Sequence, residues 1–141
     1  LGKEYGLHIL DVSNSSAPTH TGFAETNEDV SAIAKKGAYA FLLIDDDHPR
    51  FQAYNVSNPK NPTLAADVRM SYDGYKDSIA IRDNYAYVNC DSHITVFEIS
   101  DPTNPAQTVS LGCTYLGSAL CIYGNYVYML SSSRISVISI S

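Results

Sequence analysis

Asn55-Val56-Ser57-Asn58-Pro59-Lys60-Asn61-Pro62-Thr63 occurs in variant form on both sides of itself. Upstream the chain reads Asp11-Val12-Ser13-Asn14-Ser15-Ser16-Ala17-Pro18-Thr19, and downstream Glu98-Ile99-Ser100-Asp101-Pro102-Thr103-Asn104-Pro105-Ala106. A fourth copy opens at Ser139-Ile140-Ser141. The matching apolar residues Val12, Val56, Ile99 and Ile140 are spaced by 44, 43 and 41 residues. That period suits a repeated unit of four short strands. Within the stretch, a residue before proline is pushed toward extended geometry, proline fixes φ, and Asn, Asp or Ser can satisfy turn amides with their side chains. The stretch therefore reads as an apolar strand end, a rigid turn and the start of a new strand.

Working outward, the residues before each copy share a second pattern. Leu7-His8-Ile9-Leu10-Asp11-Val12, Phe51-Gln52-Ala53-Tyr54-Asn55-Val56, Ile94-Thr95-Val96-Phe97-Glu98-Ile99 and Ile135-Ser136-Val137-Ile138-Ser139-Ile140 are apolar at positions one, three, four and six. On a strand this places two apolar groups on each face, so the sheet must be covered on both sides. After each turn comes a more polar stretch, Thr19 to Glu25, Thr63 to Met70 and Gln107 to Thr114, suited to an outer edge.

Thr26-Asn27-Glu28-Asp29 and Ser71-Tyr72-Asp73-Gly74-Tyr75-Lys76 read as loops between sheets. Beyond them, small or β-branched segments, Ser31 to Ala34, Ser78 to Ile81 and Ala119 to Ile122, allow strands to crowd together. Tight turns follow at Lys36-Gly37, Arg82-Asp83-Asn84 and Tyr123-Gly124-Asn125, where Gly and Asn tolerate positive φ. The returning strands, Ala38 to Leu43, Tyr85 to Val88 and Tyr126 to Met129, carry tyrosines in register, which predicts core and inter-sheet packing.

One unit thus holds four antiparallel strands, and no helix is required. Four-stranded sheets repeated at this period, apolar on both faces, pack radially as the blades of a β-propeller. The expected fold is all-β, a single domain 1–141 with repeat units of about 6–49, 50–92 and 93–133 and a partial unit 134–141. Strand counting predicts two strands, two complete sheets of four, then three strands, about three blades' worth of a partial propeller. Propellers usually need at least about four blades. The expectation is therefore a piece of a longer propeller, or copies that cover one another's open faces.

Leu7-His8-Ile9-Leu10-Asp11-Val12-Ser13-Asn14, the Pro18-Thr19 and Pro62-Thr63 steps, and Asn84-Tyr85-Ala86-Tyr87-Val88 resemble the LVIVD repeat. The resemblance covers nearly the whole chain. It implies a propeller and a secreted or surface-attached microbial protein, and it carries no shared catalytic set. The sequence departs from the pattern at Ser15 and Ser16, which replace the first proline of the upstream turn. It departs again at Asp45-Asp46-Asp47-His48-Pro49, which replaces a short Asp/Gly hairpin.

The chain has 141 residues and a net charge of −6, with nine Lys and Arg scattered along it, whereas a nucleic-acid module carries a basic face. No apolar run is long enough to span a membrane. Leu1 is not an initiator Met, and no basic-then-apolar signal sequence is present, which predicts a processed chain, an excised piece or the visible part of something longer. Three cysteines, Cys90, Cys113 and Cys121, lack zinc-site spacing. Buried thiols are expected, with a Cys113–Cys121 bridge as the alternative.

Sequons stand at Asn14-Ser15-Ser16 and Asn55-Val56-Ser57, making Asn14 and Asn55 the candidate glycosylation sites. Asp45, Asp46 and Asp47 form the densest acidic cluster, either a solvated hairpin tip or a weak Ca2+ site, since calcium takes six to eight oxygen ligands. Otherwise no cofactor is expected. Asp91-Ser92-His93 has the composition of a nucleophile triad, but neighbouring strand residues point apart. No catalytic residues are assigned, and His8 and His20 have no evident partner.

These readings point to a non-catalytic module outside the cell, extracellular or on its surface, which serves protein interaction or scaffolding. Its partners would be proteins or copies of itself, through open blade faces. One alternative is part of a propeller enzyme or metal-dependent hydrolase with its site in other blades. Another is a self-assembling filament subunit.

Overall fold

The computed structural model describes residues 5–45, 47–71, 76–90, 93–112, 118–131 and 134–140. Among them are thirteen strands and no helix, in antiparallel sheets of two, four, four and three strands. The first sheet pairs β1 (Gly6–Asp11) with β2 (Thr19–Glu25). The second runs β3 (Asp29–Lys36), β4 (Tyr39–Asp45), β5 (Arg50–Asn55) and β6 (Thr63–Arg69). The third runs β7 (Lys76–Arg82), β8 (Tyr85–Cys90), β9 (His93–Glu98) and β10 (Ala106–Gly112). The fourth holds β11 (Ala119–Tyr123), β12 (Tyr126–Leu130) and β13 (Ile135–Ser139). The sheets are propeller blades, about three blades' worth. Each complete sheet straddles two of the repeat units drawn from the turn motif, because that motif joins the third strand of a sheet to the fourth.

The first strands β3, β7 and β11 lie beside one another. Their small and β-branched residues, such as Ala32, Ile79 and Ile81, let three sheets converge there. Outward from that line, three apolar cores fill the gaps between consecutive sheets. Leu7 of the first sheet meets Ala40, Leu42, Ile44 and Tyr54 of the second. Phe41, Leu43, Phe51 and Ala53 meet Ala86, Val88, Cys90, Phe97 and Ile99 of the third. Tyr87, Ile94 and Val96 then meet Val127 and Met129 of the fourth. Every strand that contributes to two cores does so by alternation, as the two-faced pattern requires. The middle core is centred on aromatic rings: Phe51 stacks on Phe97 at 4.1 Å and 5°, and Phe41 lies 5.6 Å from Phe51.

The turns follow the predicted chemistry. Asp11, Asn55 and Glu98 accept the amide N–H groups of Ser13, Ser57 and Ser100, at 2.8, 2.9 and 2.8 Å. Asn14, Asn58 and Asp101 accept those of Ser16, Lys60 and Thr103 in the same way. A backbone bond closes each turn, from Ala17, Asn61 and Asn104. The bonds from Ser13 and Ser100 hold the Asp11 and Glu98 carboxyls below their ordinary values. The Thr103 side chain and amide do the same for Asp101.

Several details differ from expectation. β3 begins at Asp29, so the first inter-sheet loop is shorter than the polar run Thr26 to Asp29 suggested. In the middle hairpin the positive φ falls on Asp83 (51°) rather than on Asn84, matching Gly37 (55°) and Gly124 (56°) as first loop residues. Each outer strand carries an extra residue at one repeat position, Thr21, Ala65 or Thr108, opposite the third strand. Such bulges bend the edge strand and raise its twist, which guards it against pairing with another chain. Cys90 is buried as expected, but Cys121 is exposed, because it lies on the face of the fourth sheet that no described sheet covers. Cys113 lies outside the described residues, and the Cys113–Cys121 bridge with it.

Candidate functional site

Among the described residues the two end sheets each present one face that no other sheet covers, built from positions that are buried elsewhere. Ile135 and Val137 of β13 are the repeat counterparts of Ile94 and Val96 in β9. Ile94 is 1% exposed against the fourth sheet, whereas Ile135 is 70% exposed. Leu130 of β12 stands opposite Ile135, and Tyr128 opposite Val137, so the face is a continuous ladder. At the other end, Leu10 and Val12 match Phe97 and Ile99; Phe97 is fully buried and Leu10 is 55% exposed. Tyr123, Tyr126 and Tyr85 are also more exposed than core packing predicted. Tyr123 and Tyr126 belong to the uncovered face of the fourth sheet.

A second repeating device sits at the hairpin ends. The Lys36 ammonium donates to the Asp83 carbonyl and to Asn84 Oδ1, the latter at 2.7 Å, linking the second sheet to the third. Arg82 donates to Asn125 Oδ1 at 2.8 Å, linking the third to the fourth. The next position in this series is Tyr123, so the cation-to-asparagine series stops at the fourth sheet.

Between the first and second sheets lies a cleft of about 330 Å³ lined by Ala24, Glu25, Gln52, Tyr54, Leu64 and Asp67, among others. Tyr54 donates from its hydroxyl to Gln52 Oε1 at 3.2 Å. Burial, assisted by the Asp67 charge, pushes the Tyr54 phenol above its ordinary value. Asp67 itself is tied to Arg50 at 2.6 Å. Apart from the residues that line this cleft, the Pro59-Lys60 turn approaches the backbone of β2 at Gly22. A Cβ on Gly22 would stand 2.0 Å from the Pro59 carbonyl oxygen.

Of the residues singled out in the sequence, Asn14 is exposed in a turn, whereas Asn55 is half-buried as the last residue of β5. Their amide oxygens accept the Ser16 and Ser57 N–H groups, which leaves the engaged atom opposite the nitrogen that would carry a glycan. Asp45 ends β4 half-buried, Asp47 is exposed, and Asp46 lies outside the described residues. Among the described residues no three His, Cys, Asp or Glu side chains are grouped to hold a metal ion. Asp91 and Ser92 also lie outside the described residues. His8 and His20, left without a partner by the sequence, face each other: His8 Nδ1 is 3.3 Å from His20 Nε2. Cross-strand register across a bulge brings them together, and a linear reading of two isolated histidines has no signal for it.

The LVIVD repeat model matches residues 2–26 and 73–111. These two segments are similar to LVIVD repeats. The matched segments include β1 and β2 and nearly all of the third sheet. A search of curated proteins found no match.

Among solved structures, the computationally designed Ika8 protein matches with a TM-score of 0.67 at 16% identity, covering 87% of this chain and 37% of Ika8. A functionally unknown protein from Desulfotomaculum acetoxidans DSM 771 matches with a TM-score of 0.53 at 15% identity, covering 95% and 58%. The designed Ika4 protein matches with a TM-score of 0.51 at 11% identity, covering 82% and 94%. The chain therefore spans little more than a third of Ika8 and under two thirds of the D. acetoxidans protein. At these identities the likeness is one of fold. Among the described residues no helix is long and apolar enough to cross a membrane.

Proposed function

We propose that this chain is a non-catalytic repeat module, extracellular or on the cell surface, that serves protein interaction or structural scaffolding through its open blade faces. The observation that carries the reading is the exposure of Ile135, Val137 and Leu130 at positions whose counterparts are buried between sheets. Fully burying a Val, Leu or Ile side chain is worth about 1.5–3 kcal/mol, so covering this ladder supplies a substantial driving force for another sheet to dock. The occupant that fits is a sheet of the same repeat type, from further along the same polypeptide or from a second copy. The extracellular location draws its support from the two sequons, one with its asparagine in an exposed turn and the other with its asparagine at the end of β5.

Two experiments test this. A membrane-impermeant amine reagent applied to intact source cells is expected to label the exposed turn lysine Lys60; labelling only after lysis would overturn the location. A photo-crosslinker at Ile135 is expected to capture an apolar sheet face. Reaction with solvent alone would overturn docking.

A further inference from the structure

We propose that His8 and His20 form a binding site for a divalent metal ion of the Zn2+ type on the uncovered face of the first sheet. The pair is built by the fold. His20 lies opposite Leu10, and the extra residue Thr21 in β2 shifts the register so that His20 reaches back beside His8. The rings meet edge to face at 5.4 Å and 64°, and His8 packs on Phe23 at 4.6 Å, which limits the freedom of its ring.

The decisive quantity is the 3.3 Å between His8 Nδ1 and His20 Nε2. Two imidazole nitrogens bound to tetrahedral zinc at about 2.0–2.1 Å are separated by about 3.3–3.4 Å. An octahedral ion with two adjacent ligands at about 2.1 Å needs only about 3.0 Å. The spacing therefore suits tetrahedral Zn2+ once both rings turn their facing lone pairs toward a common point. In the metal-free pair one facing nitrogen donates its proton to the other. Binding requires the His8 proton on Nε2 and the His20 proton on Nδ1, so that both facing lone pairs are free.

The repeat provides a second argument. The counterparts of His8 are Gln52 and Thr95, and those of His20 are Leu64 and Gln107. Packing in this fold therefore demands histidine at neither position, yet the first sheet carries it at both. Both rings are exposed, so water or a carboxylate can complete the coordination.

The test is Zn2+ titration of the 141-residue chain by calorimetry, in a Cys113→Ser/Cys121→Ser background that removes competing thiols. Saturation at one Zn2+ per chain is expected, with His8→Ala and His20→Ala each weakening it about tenfold or more. His48→Ala and His93→Ala should leave it unchanged. Independently of any variant, substoichiometric Zn2+ should shift the ring resonances of His8 and His20 in the NMR spectrum of the wild-type chain. Zn2+ binding that survives both single substitutions, or ring resonances unmoved at excess Zn2+, would overturn the site.

Discussion

Replacing Phe51 with alanine removes the centre of the stack that joins the second and third sheets. Phe51 is fully buried, lies 4.1 Å from Phe97 and nearly parallel to it, and has its ring centroid 5.6 Å from that of Phe41. Truncating a core phenylalanine costs about 3–5 kcal/mol, depending on how far the site collapses. Here the walls are hydrogen-bonded sheets that cannot close on the void, and two ring contacts worth about 0.5–1.5 kcal/mol each are lost within that total. The expected loss is therefore at the upper end, about 4–5 kcal/mol, a large part of the 5–15 kcal/mol typical of a whole domain.

Urea unfolding followed by circular dichroism reads this as a fall in midpoint at unchanged slope. Ile135→Ala, on the uncovered ladder, is the control and should lose less than about 1 kcal/mol in the isolated chain. If Phe51→Ala does not fold, Phe51→Leu preserves most of the volume and should still lose about 1–2 kcal/mol. A loss below about 1 kcal/mol for Phe51→Ala would refute face-to-face packing of the two sheets through this stack.

Acid should weaken the first and third turns selectively. Asp11, Glu98 and Asp101 have folded values below their ordinary 3.8, 4.5 and 3.8. Their stabilisation is thus complete above the unfolded values and fades as pH falls through the depressed ones. Asp101→Asn should flatten the acid limb of a stability-against-pH curve, and an unchanged limb would contradict the assignment. Gly22→Ala should part the first sheet from the second, because the new methyl group meets the Pro59 carbonyl; hydrogen exchange should rise across residues 6–25 and stay constant in β8 and β9. Lys36→Met should cost no more than about 1 kcal/mol, since the hairpin link is exposed, and its effect should vanish in an Asn84→Ala background.

The strand order was legible because three independent signals agree in each unit. The apolar pattern at positions one, three, four and six dictates two covered faces, the Asn/Pro turn dictates where the third strand ends, and Gly37, Gly124 and their equivalent dictate the hairpins. Two, four, four and three strands followed from these residues alone. The bulges at Thr21, Ala65 and Thr108 were not legible, since an extra residue in a polar edge strand leaves the hydrophobic pattern unchanged. The exposure of Cys121 was equally hidden: its apolar neighbours look the same whether the next sheet is present or absent. The cross-strand pair His8 and His20 depends on register, and histidines twelve positions apart encode that in no local pattern.

The central claim is that the apolar ladder of Leu130, Ile135 and Val137 is an interface for another sheet of the same kind. Native mass spectrometry of the protein from its natural source, recording chain mass and assembly mass together, tests it most directly. Either a chain well above 15.4 kDa or 15.4 kDa chains in multiples is the predicted result. A solitary chain of 15.4 kDa, stable at high concentration, would contradict it.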